Sequence, residues 1–231
     1  MQADENPFLK SFKDTAAVSN YQSGPPRFTP GFADLHRMVT ILLAERVPDD
    51  GRILVLGAGG GLELRAMAES QPDWTFVGVD PARPMLELAR STLGGAAERV
   101  DFIEGYIDAA PEEAFDGAVC LLTLHFLDPQ ERLRTVTEIH KRLKPGAPFV
   151  AAHSSFPQAP DVRDKWLSRY EAFAVASGVD PEMASQARDA VSRSVELLTP
   201  EQDEQILKSA GFSNVEQFYR AFTWCGWVAC A

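Results

Sequence analysis

Short apolar runs alternate with stretches of helical spacing along most of the chain. Apolar residues recur at intervals of three and four from Asp34 to Arg46, and again after Pro129, which predicts two amphipathic helices. Strands that alternate with such helices indicate βαβ units and a mostly parallel sheet. Five apolar runs have strand length: residues 52–56, 75–79, 100–104, 117–122 and 148–152.

The pattern changes after the fifth run. Helical spacing predicts two further helices at residues 161–178 and 181–195. Thr199-Pro-Glu-Gln forms a capping box that begins a third helix, and Gly211 ends it. Alternating residues 215–222 and 224–229 predict an antiparallel strand pair. We therefore expect an α/β fold with a Rossmann-like, seven-stranded sheet, a terminal antiparallel hairpin and a helical insertion before the last helix.

The chain divides into a short leading segment and one domain. Residues 1–33 are loop-like, because YQSGPPRFTPG carries three prolines and two glycines, and we interpret them as an N-terminal cap segment. Residues 34–231 form a single domain that contains the insertion at residues 160–198. A length of 231 residues suits this organisation.

Charge and composition limit the classes of partner. Lys and Arg number 22 against 33 Asp and Glu, and the net charge of −11 disfavours a direct nucleic-acid partner. We therefore expect a small-molecule substrate. The three cysteines lack the spacing of a disulfide framework or metal site, so no metal is expected. No signal peptide is apparent, and no apolar segment approaches the roughly 20 residues that span a bilayer, so we expect a cytoplasmic protein without a membrane partner.

A glycine loop and a later acid carry the strongest chemical signal. Gly57-Ala58-Gly59-Gly60-Gly61 follows a buried strand and opens a helix, where backbone amides favour a negatively charged group. Asp80 ends the next strand, where a carboxylate can accept hydrogen bonds from ribose hydroxyls. Leu62 stands where a dinucleotide fingerprint requires glycine, and no Lys-Ser/Thr follows, so a P-loop is excluded.

This constellation resembles the class I S-adenosylmethionine-dependent methyltransferases. The likeness covers roughly residues 34–231, through ILVLGAGGG, FVGVD, VDFIEGYI and RLKPGAPFV. It implies a class I methyltransferase sheet, S-adenosyl-L-methionine or S-adenosyl-L-homocysteine as cofactor, and methyl transfer to a small molecule. It also implies these cofactor-binding residues: Gly57, Ala58, Gly59, Gly61, Asp80, Pro81, Met85, Gly105, Tyr106, Ile107, Leu121 and Leu122.

Some segments are more similar to the carboxy-S-adenosylmethionine synthases. LTLHFLDPQER and FYRAFTWCGWVA carry this closer resemblance. It implies an alternative activity on prephenate, in tRNA wobble uridine modification, and a homodimer. In that alternative, Arg188 or Arg193 of the insertion would hold the additional carboxylate. A non-catalytic S-adenosylmethionine-binding protein is the third hypothesis.

Histidines near strand ends are the candidates for handling the acceptor. His125 follows the fourth strand, and we interpret it as a base or as a group that positions the acceptor, with a packing role as the alternative. His153 ends the fifth strand and is a weaker substrate-binding candidate. Tyr21 and Arg27 lie in the leading segment and could cover the site or bind a carboxylate.

Overall fold

The structure is a computed structural model that describes Phe12, Val18 and residues 21–231. Most of the expected cap segment at residues 1–33 therefore lies outside the described residues. The seven strands are β1 Arg52–Leu56, β2 Thr75–Asp80, β3 Val100–Glu104, β4 Gly117–Leu121, β5 Pro148–Ser154, β6 Ser213–Ala221 and β7 Trp224–Cys230. The α-helices are α1 Pro25–Phe28, α2 Phe32–Ala44, α3 Leu62–Ser70, α4 Arg83–Leu93, α5 Pro129–Lys141, α6 Pro160–Ala176, α7 Pro181–Ser194 and α8 Pro200–Ser209.

The strands form one sheet in the order β3-β2-β1-β4-β5-β7-β6. Strands β1 to β5 are parallel, whereas β7 runs antiparallel to both β5 and β6. All residues of β4 and β5 are buried, as expected for central strands covered by helices on both faces. The predicted seven-stranded α/β sheet with a terminal antiparallel hairpin is confirmed.

The helix ends follow the local sequence. Thr199 and Gln202 form the predicted capping box of α8. Asp128 caps α5 by accepting a hydrogen bond from the Glu131 amide at 2.9 Å. Helices α6 and α7 lie between β5 and α8, which confirms the helical insertion.

Two apolar clusters cover the opposite faces of the sheet. Leu35, Leu43 and Phe76 belong to one cluster, on the side of helices α2 to α4. Ile139 and Phe149 belong to the other cluster, on the side of α5 and α8. This packing fixes the carboxyl ends of β1, β2 and β4 along one edge. None of the helices between residues 21 and 231 has the length and hydropathy that a bilayer-spanning helix needs.

Candidate functional site

A cavity of about 350 Å³ opens at the carboxyl ends of the parallel strands. This is the edge at which open α/β sheets bind ligands. The structure brings together three segments around it: the chain from Tyr21 to His36, the loop at Thr123–Phe126, and the insertion. Twelve predicted site residues lie in its wall: Tyr21, Gly57, Gly59, Asp80, Pro81, Met85, Gly105, Tyr106, Ile107, Leu121, Leu122 and His125.

The glycine loop depends on backbone conformations that favour glycine. Gly57, Gly59 and Gly61 have φ angles of 75°, 45° and 76°. Gly57 also packs so closely on Thr123 that a Cβ there would overlap its side chain. The loop therefore presents backbone rather than side chains to the cavity.

Two residues predicted to bind the cofactor lie outside the cavity wall. The buried Ala58 side chain packs near Gly78 of β2. Gly61 packs against Ala89 of α4, where an added Cβ would lie 2.9 Å from the Ala89 Cα. Neither Ala58 nor Gly61 lies in the cavity wall, so their role is to shape the loop and to seat α3 on α4.

Asp80 joins the end of β2 to the glycine loop. Its Oδ2 accepts a hydrogen bond from the Gly59 amide at 3.0 Å, and its Oδ1 accepts one from the Ala82 amide at 2.8 Å. Burial raises the pKa of Asp80 to about 6, although these two amides oppose the shift. A carboxylate has about four acceptor positions, so Asp80 retains acceptor capacity for a ligand.

Glu63 is a second cavity acid that the sequence analysis missed. It lies in the first turn of α3, beside the glycine loop. Burial raises the pKa of Glu63 to about 8, and the negative charge of Asp80 adds to the shift. No ion pair joins either acid to a cation within the described part of the chain.

Tyr21 covers the glycine loop from the side of the leading segment. A Cβ at Gly60 would lie 2.9 Å from Cδ1 of the Tyr21 ring. The ring also meets Phe12 edge to face, with centroids 5.7 Å apart. Burial, followed by the charges of Glu63 and Asp80, raises the pKa of the Tyr21 phenol, so the hydroxyl stays protonated.

His125 is buried at the mouth of β4. Its Nδ1 accepts a hydrogen bond from the Ser154 amide at 3.4 Å, which leaves the ring proton on Nε2. Burial, together with His153 and Arg132, lowers the pKa of His125 well below its ordinary value. A neutral ring with Nε2–H can donate a hydrogen bond, so this geometry favours the positioning role over the role of base.

His153, predicted as a substrate-binding residue, lies outside the cavity wall. Its Nε2 is 3.2 Å from Oδ1 of Asp203, and its ring packs on Trp227 with centroids 5.2 Å apart. Arg132 reaches the same carboxylate oxygen at 2.6 Å. These three buried residues connect β5, α5 and α8 behind the site.

The predicted arginines do not reach the cavity either. Arg27 is exposed and is not part of the cavity wall. Arg188 pairs with Asp164 at 2.6 Å and Glu171 at 3.1 Å, while Arg193 pairs with Asp189 at 3.1 Å. Among the described residues, no arginine or lysine lines the cavity.

The fold and this loop are typical of class I methyltransferases: a parallel sheet ends in an antiparallel hairpin, a glycine loop follows β1, and an acid ends β2. Residues 53–146 match the family model described as a methyltransferase domain. A carboxy-S-adenosyl-L-methionine synthase from Campylobacter lari is 25% identical over 217 residues, which cover 94% of this chain and 93% of the relative. A carboxy-S-adenosyl-L-methionine synthase from Aeromonas salmonicida is 27% identical over 221 residues, which cover 94% of this chain and 89% of the relative.

Human N-acetylserotonin methyltransferase, in a complex with S-adenosylmethionine, shares the fold. Its TM-score is 0.68 at 16% identity, over 100% of this chain and 60% of that chain. This chain thus spans less than two thirds of that protein. With these findings, the chain has the class I methyltransferase fold and is similar to the carboxy-S-adenosyl-L-methionine synthases.

Proposed function

We propose that the protein transfers the methyl group of S-adenosylmethionine to a small-molecule acceptor. One observation carries the proposal: a single cavity joins the glycine loop and Asp80 to a chamber lined by Leu121 at the end of β4 and Trp224 at the start of β7. The order of the sheet places β2 and β1 on one side of β4, and β5 and β7 on the other. Donor and acceptor can therefore meet above the end of β4.

The residues of the cavity fit a cationic nucleoside. The glycine backbone leaves room for a ligand, and the amides near the start of α3 favour its carboxylate. Asp80 and Glu63 lie in the wall without a partner cation in the described chain. A ligand that brings positive charge would stabilise the ionised form of both acids.

The chain contributes binding, orientation and exclusion of water. When bound, S-adenosylmethionine supplies a methyl group on cationic sulfur. The acceptor forms a bond to the methyl carbon while the bond from carbon to sulfur breaks, and its electron pair stays on sulfur. Asp80 would hold the ribose, and Tyr21 would close the cavity over the glycine loop. His125 would orient the acceptor through its Nε2–H. Alignment of the acceptor with the reacting bond supplies most of the rate effect of such a site.

Carboxy-S-adenosylmethionine synthesis is the second candidate, because the curated relatives carry that name. Such an enzyme must hold an additional carboxylate beside the sulfur. Arg188 and Arg193 pair with acids outside the cavity, so the described chain offers no cation for this carboxylate. This difference favours methyl transfer.

Mass spectrometry of the nucleoside that co-purifies with the protein separates the two candidates. S-adenosylmethionine or S-adenosylhomocysteine is the expected result, whereas an intact carboxylated cofactor would reverse the ranking. Calorimetry with S-adenosylhomocysteine tests the site itself. Absence of binding by the purified full chain would contradict both candidates.

A further inference from the structure

The part of the cavity next to Trp224 of β7 is built mostly from aromatic and aliphatic side chains. We call it the aromatic chamber; its residues are Phe28, Thr29, Phe32, His36, Tyr170, Val191 and Trp224. Phe28 stacks on Tyr170 with centroids 5.3 Å apart, and the backbone oxygen of Phe28 accepts a hydrogen bond from Trp224 Nε1 at 2.9 Å. These contacts join α1, α6 and β7 into one wall.

The chamber offers no positive charge to an anionic ligand. Asp80 and Glu63 lie in the same cavity, and Glu131, a third acid in its wall, is paired with Arg134 at 2.6 Å. The wall contains no cation among the described residues, and Arg188 and Arg193 of the insertion are engaged elsewhere. An anion in this space would lose its hydration without gaining a counter-charge from the protein.

Two polar groups of the chamber wall are available to a ligand. The hydroxyl of Thr29 is buried, and no hydrogen-bond partner for its Oγ1 is found in the described chain. The His36 ring packs on Phe32 with centroids 4.4 Å apart. Burial lowers the pKa of His36 to about 4, so at neutral pH its imidazole is uncharged and offers one donor and one acceptor.

We infer that the acceptor is an uncharged molecule with a flat, apolar ring body and a hydrogen-bonding substituent. The ring would lie against Phe28, Tyr170 and Trp224, and the substituent would meet Thr29 or His36. This inference rests on the proposed function and specifies its substrate class.

Matched probes test the charge requirement. Full-length protein saturated with S-adenosylhomocysteine is dialysed against 2-naphthol, which is uncharged at neutral pH, or 2-naphthoate, which carries a carboxylate on the same ring. We expect the naphthol to bind at least about tenfold more tightly. Equal or tighter binding of the naphthoate, or no binding of the naphthol, would overturn the inference.

Two variants of the chamber wall, Val191→Arg and Thr29→Val, test the assigned positions, and Ser185→Arg is the control for the first. Val191→Arg adds a cation to the chamber and should reverse the preference toward 2-naphthoate, while Ser185→Arg on the exposed side of α7 should not. Thr29→Val should weaken 2-naphthol about fivefold and leave naphthalene unchanged, because only the naphthol carries a hydroxyl. Unchanged preferences in both variants would contradict the assigned positions of ring and substituent.

Failure of this inference is distinguishable from failure of the proposed function. S-adenosylhomocysteine binding is measured first by calorimetry on the same preparation. If the nucleoside binds and the neutral ring does not, the substrate class alone is wrong. If the nucleoside does not bind, the proposed function fails, and the inference fails with it.

Discussion

The carboxylate of Asp80 accepts a hydrogen bond from the backbone amide of Gly59 at 3.0 Å. The end of β2 is thereby tied to the loop that follows β1, although 21 positions separate the two residues. One side chain thus holds the loop in place and faces the cavity with its remaining lone pairs.

Asp80→Ala should weaken S-adenosylhomocysteine binding by about 10- to 100-fold, since a hydrogen bond to a charged group contributes about 1.5–3 kcal/mol. Calorimetry measures this change. Glu104→Ala is the matched control, because Glu104 pairs in register with Asp80 but is exposed and outside the cavity wall. Equal affinity of the Asp80 variant and the wild type would reject the ribose assignment.

Glu63→Gln should stabilise the empty protein at alkaline pH by roughly 1–3 kcal/mol, because it removes a poorly solvated carboxylate. The pKa of about 8 in the folded protein lies above the ordinary glutamate value of 4.5. The contribution of the protonated acid to stability is therefore fully present below about pH 4.5 and is lost as the pH rises through 8. Urea titrations at several pH values measure the difference.

The same carboxyl group should couple binding of the cofactor to release of a proton. A cationic ligand favours ionised Glu63, so at neutral pH the observed binding enthalpy should vary with the ionisation enthalpy of the buffer. Glu63→Gln should reduce this dependence, whereas Glu69→Gln, on an exposed part of the same helix, should keep it. A buffer-independent enthalpy in the wild type would contradict the coupling.

Gly61→Ala should destabilise the fold by about 2–4 kcal/mol, from backbone strain and the collision with Ala89. Gly146→Ala is a matched control, because Gly146 has a similar φ of 78° but no atom within 4 Å of an added Cβ. The control should cost only about 1 kcal/mol of strain. If chemical denaturation shows equal losses of stability for Gly61→Ala and Gly146→Ala, the close contact between α3 and α4 does not contribute to the free energy of unfolding.

Local spacing was enough to predict the strands and the helix caps, because each depends on residues that are close in sequence. The capping box at Thr199 is an example: both of its hydrogen bonds lie within four residues. The acid at the end of β2 was also predictable, since parallel strands bring their carboxyl ends to one edge.

The side of an element that meets the cavity depends on packing between distant segments. His153 ends β5 beside the site, yet it points to the face where Asp203 and Trp227 lie. Helix α6 shows the same dependence on packing: Tyr170 stacks on Phe28, whereas Trp166 lies under Arg169. Neither Thr29 nor Glu63 belongs to a sequence motif, so their position in the cavity wall follows only from the fold.

Asp203→Asn should cost about 3–5 kcal/mol, because it leaves Arg132 as a buried and uncompensated cation. Burial raises the pKa of Asp203, but His153 and Arg132 outweigh it and lower the pKa to about 2. This carboxylate therefore contributes stability that is fully present above about pH 4 and lost as the pH falls toward 2. Asp189→Asn, in an exposed pair with Arg193, should change the free energy of unfolding by less than about 0.5 kcal/mol.

His125 should remain uncharged, with its proton on Nε2, from pH 8 to pH 5. Its buried ring accepts the Ser154 amide at Nδ1, and burial disfavours the imidazolium. Nitrogen-15 NMR of the ring measures both properties, and the signal is assigned by its loss in His125→Asn. A titration of this ring with a midpoint near neutrality would contradict the assignment and return His125 to the role of base.

Two substitutions of His125 test the contribution of its Nδ1 separately from that of its Nε2. Asparagine places its amide oxygen near the position of Nδ1, so His125→Asn should preserve the contact with the Ser154 amide and nearly all of the stability. His125→Leu leaves that amide without this acceptor and should cost about 1–3 kcal/mol. Neither variant should change S-adenosylhomocysteine affinity by more than about twofold, because the ring faces the acceptor side of the cavity. A larger loss in both variants would place His125 against the cofactor.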